Sequence, residues 1–209
     1  KFMNRRDLIA VVLASTAFGC ALADAYPSKV VRLQVPFAPG GTTDIVARVI
    51  ADPLAKAIGQ SVVVENKAGG GGVVGANETA KALPDGYTLL LTTNAHSVVP
   101  HLVKVPFDPI KDFVPISMIA TTEYVLVVHP GVPANTLQEF TALSKAKPGQ
   151  LNYASAGVGS ATHVNAEKFR AQANIQVTHI PFKGTPETIV ETSSGRVDFM
   201  FTPVLASIP

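Results

Sequence analysis

The chain has 209 residues, 47% of them hydrophobic and 15% charged, with 17 basic side chains against 15 acidic ones. So small a positive surplus excludes an electrostatic nucleic-acid binder and a protein held to an anionic membrane surface. A single cysteine, Cys20, excludes any internal disulfide.

The first 25 residues read as a secretory signal peptide, because Arg5 and Arg6 precede an apolar run from Leu8 to Leu22 that ends in small residues. Cleavage is expected after Ala23 or Ala25. The stretch Asn4-Arg5-Arg6-Asp7-Leu8-Ile9 also has a twin-arginine character, so Sec and Tat export both fit. A transmembrane anchor would need ~20 apolar residues, more than this run supplies, and Ala17-Phe18-Gly19 makes a poor lipidation box before Cys20. The expected mature chain is an exported protein with no thiol.

Strand and helix patterns then alternate, the signature of an α/β fold with mostly parallel sheets. Strands are expected at 30–35, 62–65, 88–92, 116–120, 125–129, 151–154, 177–180 and 197–201. Helices are expected at 44–57, 74–82, 137–147, 161–172 and 187–192. In the first helix Ile45, Val46, Val49, Ile50 and Leu54 recur at helical spacing. Asn135 or Thr136 can cap the third, with Gln138 or Glu139 three residues on. A break at 118–124 suggests a first unit over 26–122 and a second over 123–209. The chain stops directly after the Pro203-Val204-Leu205 turn, so C-terminal truncation is expected.

The most informative stretch is Val35-Pro36-Phe37-Ala38-Pro39-Gly40-Gly41-Thr42-Thr43-Asp44, where a strand breaks at two glycines and feeds a helix. The first amides of a helix lack intrahelical partners and the dipole there is positive, so the turn suits an anion such as a carboxylate. Thr42 or Thr43 would cap the helix, and Phe37 would wall a cleft or fill core. Ala156-Gly157-Val158-Gly159-Ser160 repeats the arrangement between a strand and the helix that starts at Ala161. Two such turns suggest a cleft that grips a small acid from both sides.

Other motifs carry less. Gly70, Gly72 and Gly75 satisfy the dinucleotide pattern G-x-G-x-x-G, but four consecutive glycines generate it cheaply and no acidic residue follows to hold a ribose. Ser160 and His163 lie one helical turn apart, which keeps a secreted α/β hydrolase as the alternative function. No G-x-S-x-G elbow accompanies them. In the milder reading Ser160 adds a hydroxyl donor and His163 lines or braces the pocket. His96 and His101 on a loop, and His129 and His179 at strand ends, give no metal-ligand spacing. Lys183 follows a strand at a third turn, where solvent exposure is expected. Asp198 is a lone charge in an apolar strand, so it either binds amides near a strand end or faces the cleft.

Taken together, 35–44, Val64-Glu65-Asn66-Lys67-Ala68-Gly69 with Gly71, Gly72 and Gly75, Asp85-Gly86-Tyr87-Thr88-Leu89-Leu90, the run from Lys147 to His163, and Val197-Asp198-Phe199-Met200-Phe201 resemble the Bug-type receptors. These are the periplasmic solute-binding proteins of tripartite tricarboxylate transporters (TctC). The resemblance implies a two-lobed flytrap, a periplasmic-binding-protein type II fold, with lobes at 26–122 and 123–209. Its members run longer, returning to the first lobe at the C terminus, so that lobe is incomplete here. The resemblance also implies that Phe37, Ala38, Pro39, Gly40 and Gly41, with Asp44, hold the ligand from the first lobe. Thr92 to His96 occupy the remaining rim, with Thr92 and Asn94 as its contacts. Ala156, Gly157, Gly159, Ser160 and His163 hold it from the second lobe, with Asp198 as a further candidate. The expected partners are a small carboxylate and membrane transporter subunits, with no cofactor, no metal and no nucleic acid, and a monomer is expected.

Overall fold

A computed structural model describes residues 25–207. The expected signal peptide, its Ala23 cleavage site and Cys20 lie outside the described residues. Two sheets carry the fold. The first has strands β1 (Val31–Val35), β2 (Val62–Asn66) and β3 (Thr88–Leu90), in the order β2-β1-β3 and all parallel. The second has β4 (Tyr124–Val128), β5 (Asn152–Ser155), β6 (Thr178–Pro181) and β7 (Phe199–Pro203), in the order β4-β7-β5-β6. Its pairs are parallel except β4 against β7.

In the first unit, β1 is central and covered on both faces, which is why it reads as a nearly continuous apolar run. Leu33 and Val35 pack with Phe37, Ala47, Ala95 and Val99. Gln34, equally buried, accepts a hydrogen bond from the Thr79 hydroxyl at 3.0 Å. Helix α1 (Thr42–Ile58) ends at Gly59, whose left-handed φ of 71° terminates it. The stripe that α1 buries is Asp44, Ala47 and Ala51, while Val49 is exposed. The apolar pattern thus misjudged the inward face: small alanines let the helix lie close on the sheet, and the larger residues flank the contact.

A 3₁₀ turn over Gly70–Gly72 leads into α2 (Val73–Ala80). Gly75 is needed for packing, because a Cβ there would sit 2.8 Å from Pro36 Cα. Helix α3 (Ala95–Leu102) was not anticipated: the stretch holding His96 and His101 read as a loop, but α3 packs Ala95 and Val99 into the core. The strand expected over 116–120 does not form. Val114, Ile116 and Met118 are exposed, and no neighbouring strand among the described residues pairs with this segment. Without a ladder partner an apolar run has nothing to make it a strand.

The second unit adds α4 (Leu137–Ala146), α5 (Ala161–Ala173), α6 (Thr185–Ser193) and α7 (Val204–Ser207). At the start of α4, Thr136 accepts from the Glu139 amide at 3.1 Å and Glu139 accepts from the Asn135 amide at 2.7 Å, the reciprocal capping foreseen. Its core centres on Phe140, Tyr153 and Phe199.

Candidate ligand-binding site

The first wall forms where β1 runs through Pro36–Gly41 into α1. Gly40 takes a left-handed φ of 78° and donates its amide to Asp44 Oδ2 at 2.8 Å. The same carboxylate accepts from Arg48 Nε at 3.0 Å and Asn66 Nδ2 at 2.9 Å, and Asn66 Nδ2 also donates to the Phe37 carbonyl at 3.2 Å. Burial pushes the Asp44 pKa up, but Arg48, the Gly40 amide and Asn66 outweigh it and hold the carboxyl below its usual range. Asp44 therefore braces the turn from within and offers no oxygen to a guest, which corrects its placement among the ligand contacts. Nor do the threonines cap α1: Gly41 is the N-cap and no side chain bonds there. Thr42 and Thr43 stand inside the first turn instead.

The opposite wall forms where β5 runs through Ala156–Ser160 into α5. Here the Ala156 amide donates to Thr162 Oγ1 at 2.9 Å, that of Gly157 to Ser155 Oγ at 3.1 Å and that of Gly159 to His163 Nδ1 at 3.1 Å. Ser160 caps α5 by accepting from the His163 amide at 3.3 Å, and its hydroxyl meets Thr162 Oγ1 at 2.9 Å. The loop glycines thus spend their donors inside the turn. Amides without a partner among the described residues stand in the first helical turns, at Thr42 and Thr43 of α1 and at Ala161 and Thr162 of α5.

Both walls share one hollow of about 370 Å³ including its open mouth. From the first unit it is lined by Phe37, Gly41, Thr42, Thr43 and Thr93. From the second it is lined by Ala156, Ser160, Ala161 and Thr162, with Tyr124, Thr185 and Pro203. Seven of these twelve residues carry a hydroxyl and none carries a charge. The Thr42 hydroxyl is buried with no hydrogen-bond partner among the described residues. Burial pushes the Tyr124 phenol up, so its hydroxyl keeps the proton and is able to donate.

Close backbone contacts flank the hollow. A Cβ on Gly71 would fall 2.0 Å from the Val158 carbonyl oxygen, and one on Gly159 would fall 2.4 Å from Val99 Cγ2. On the other flank, a Cβ on Gly184 would fall 2.6 Å from Ala38 Cβ, and Pro186 lies against Gly40 and Gly41. The G-x-G-x-x-G run is therefore contact surface, with Gly71 in a left-handed φ of 66°.

Of the residues expected from the sequence, Phe37, Gly41, Ala156 and Ser160 meet in the hollow. Phe37 both walls it and fills core. Ala38 and Gly40 pack beside it, Pro39 is exposed, and Gly157, Gly159 and His163 form the turn behind it. Thr92 lines a separate hollow near Gly71 and His96, and Asn94 is an exposed residue opening α3. Of the two alternatives for Asp198 the structure shows the amide-binding one: it accepts from the Asn152 amide at 2.7 Å at the start of β5, the far end of that strand from the turn, so it does not line the hollow. Lys183 is exposed. Tyr124, Thr185 and Pro203 were not among the expected contacts, since each is remote in sequence from the two turns, whereas Thr93 fell within the expected rim and Thr162 stood two residues past Ser160.

A family model described as the tripartite tricarboxylate transporter family receptor matches residues 46–209. The chain belongs to that family. It is similar to Protein BugT of Bordetella pertussis, 37% identical over 93% of this chain and 62% of BugT. A Rhodopseudomonas palustris protein solved with adipate, Rpa4515, is 33% identical with a TM-score of 0.84, covering 88% of this chain and 62% of that one. MatC of the same organism, solved with bound malate, is 32% identical with a TM-score of 0.80, over 87% of this chain and 63% of MatC. This family member thus spans under two thirds of the length of the relatives it matches. Its fold is that of periplasmic binding proteins, in agreement with a neighbour described as the periplasmic binding protein BugD at TM-score 0.81.

Proposed function

We propose that this chain is an exported receptor that captures a small carboxylate between two lobes, 26–122 and 123–209, and delivers it to membrane transporter subunits from the periplasm as a monomer. One observation carries the reading: two helix starts with unpartnered amides line one uncharged, hydroxyl-rich hollow. Neutral, preorganised donors bind an anion without desolvating a lysine or arginine. Each lobe gains contacts with the same guest, which shifts the population toward the closed form. The adipate and malate held by two relatives supply the chemical class. Phe37, Gly41, Ala156 and Ser160 are the proposed contacts recognised from sequence, joined by Thr42, Thr43, Tyr124, Ala161 and Thr162.

The hydrolase reading is weaker. The hydrogen bond between Ser160 and His163 uses the histidine's backbone amide, while ring atom Nδ1 is engaged by Gly159. A nucleophile needs the ring nitrogen as its base. Calorimetry against malate, adipate, succinate, citrate, aspartate, glutamate and nicotinate tests the proposal. Saturable binding of at least one is expected, weakened but not abolished by Ser160→Ala. Silence across the panel from folded protein overturns it.

A further inference from the structure

Behind the 156–160 turn lies a column of three stacked rings. Tyr153 from β5 lies 4.8 Å from His179 of β6, and His179 lies 4.3 Å from His163 of α5, centroid to centroid. Each histidine reaches the turn. His163 Nδ1 accepts the Gly159 amide at 3.1 Å. His179 Nε2 meets Ser155 Oγ at 2.6 Å, and Ser155 Oγ in turn accepts the Gly157 amide at 3.1 Å. An amide hydrogen can be accepted only by an unprotonated ring nitrogen, so the geometry defines His163 as the tautomer carrying its hydrogen on Nε2.

We propose that His163 is a positioning residue: it holds the 156–160 turn in its anion-binding shape through the Gly159 amide, and a proton added at Nδ1 releases the turn together with its carboxylate guest. This inference rests on the receptor reading for its ligand, though not for its geometry. Protonation would set an Nδ1 hydrogen against the Gly159 amide hydrogen, turning an attraction into a clash of two donors. The site has little slack to absorb that change, because Gly159 also abuts Val99 of the opposite unit.

The groups around His163 set when this happens. Glu167 on α5 favours the added proton and Arg170 opposes it, each as a neighbouring charge. Tyr153 is held by Glu167 at 2.6 Å, and Glu167 is paired with Arg170 at 2.7 Å. From β6, His179 is so placed that the two rings resist being charged together. β7, packed on the same core, brings Phe199 and Phe201. Burial is the largest influence on His163 and lowers its pKa below the ordinary value, so the turn is held at neutral pH and let go in acid.

Two measurements on the full chain decide the matter. In ligand-free protein, the Gly159 amide resonance and its exchange protection are followed by NMR from pH 7.5 to 4. A change in step with the His163 ring supports the proposal, and a Gly159 amide indifferent to that ring overturns it whether or not any ligand is known. In the second, malate and adipate are titrated into wild type, His163→Asn and His163→Leu at pH 7.5 and pH 5. Asparagine places a carbonyl acceptor near the position of Nδ1 and does not titrate, so near-wild-type affinity without an acid response is expected. Leucine removes the acceptor, and affinity is expected to fall about tenfold at both pH values. Wild-type affinity in the leucine variant, or an acid response kept by the asparagine variant, overturns the proposal. If neither acid binds wild type, the receptor reading is what suffers, and the Gly159 resonance still decides the role of His163.

Discussion

Replacing Gly71 with alanine should wedge the two units apart. The added Cβ would lie 2.0 Å from the Val158 carbonyl oxygen and 3.1 Å from its carbonyl carbon, against a floor of 3.0 Å for real Cβ contacts. The obstacle is backbone on the opposite unit, not the tip of a flexible side chain, so the two segments must separate locally by about 1 Å, a rearrangement a close-packed contact does not absorb without strain. Alanine also has to adopt the left-handed φ of 66°, which costs roughly 1–2 kcal/mol by itself. Gly59→Ala isolates that second cost, because Gly59 has a φ of 71° with nothing within 4 Å of its built Cβ. Both variants should lose about 2–8 °C of melting temperature from backbone strain. Only Gly71→Ala should also weaken carboxylate binding, by tenfold or more, which is about 1.4 kcal/mol taken from the closed form. Small-angle scattering should show a larger radius of gyration for this variant in the presence of ligand. Equal affinities for the two variants, with equal scattering, would refute the claim that closure depends on this contact.

Asp44→Ala should cost on the order of 2–4 kcal/mol in urea unfolding, since it strands the Gly40 amide and deprives Arg48 and Asn66 of their shared acceptor. An unchanged unfolding midpoint would argue that the turn is braced some other way. Tyr124→Phe should lower carboxylate affinity about three- to tenfold while leaving the melting temperature within a degree or two, because the phenol lines the hollow and has no hydrogen-bond partner to lose among the described residues. Acid should destabilise the protein in two stages. His163 and His179 have pKa values depressed by burial, His179 to about 4, so the folded form binds fewer protons than the unfolded chain. Their contribution is complete above the ordinary 6.5 and is lost as pH falls toward 4, with His179 accounting for roughly 3 kcal/mol at most. Asp44, also depressed, keeps its contribution above the ordinary 3.8 and loses it only below that. Urea titrations at stepped pH should show the first loss shrink in a His179→Gln variant, leaving the part due to His163.

Much of the architecture was legible in the residues because its signals are local. Alternating strand and helix patterns announced parallel sheets, glycines after β1 and β5 announced the two turns, and Thr136 with Glu139 announced a capped helix. Helix α3 escaped because Pro100 and two histidines mask a short apolar face, and the stretch 116–120 misled because its alternation has no strand to pair with. At the site, sequence located both helix starts but assigned the wrong donors. Ser155, Thr162, His163 and Asp44 consume the amides of Gly157, Ala156, Gly159 and Gly40, and which hydrogen bonds close locally depends on side-chain directions that spacing does not reveal.

The sequence by itself thus determined where the chain turns, which turns open helices, and that neither turn carries a charge. Those properties reside in a few consecutive residues and their backbone preferences. Only the tertiary structure decided that the two turns face one hollow, that Tyr124, Thr93, Thr185 and Pro203 complete it, and that Asp198 binds the end of β5 farthest from the turn. The physical reason is that these are relations between segments far apart in the chain. They are set by sheet order and by how closely Gly71 approaches Val158, neither of which any local pattern encodes.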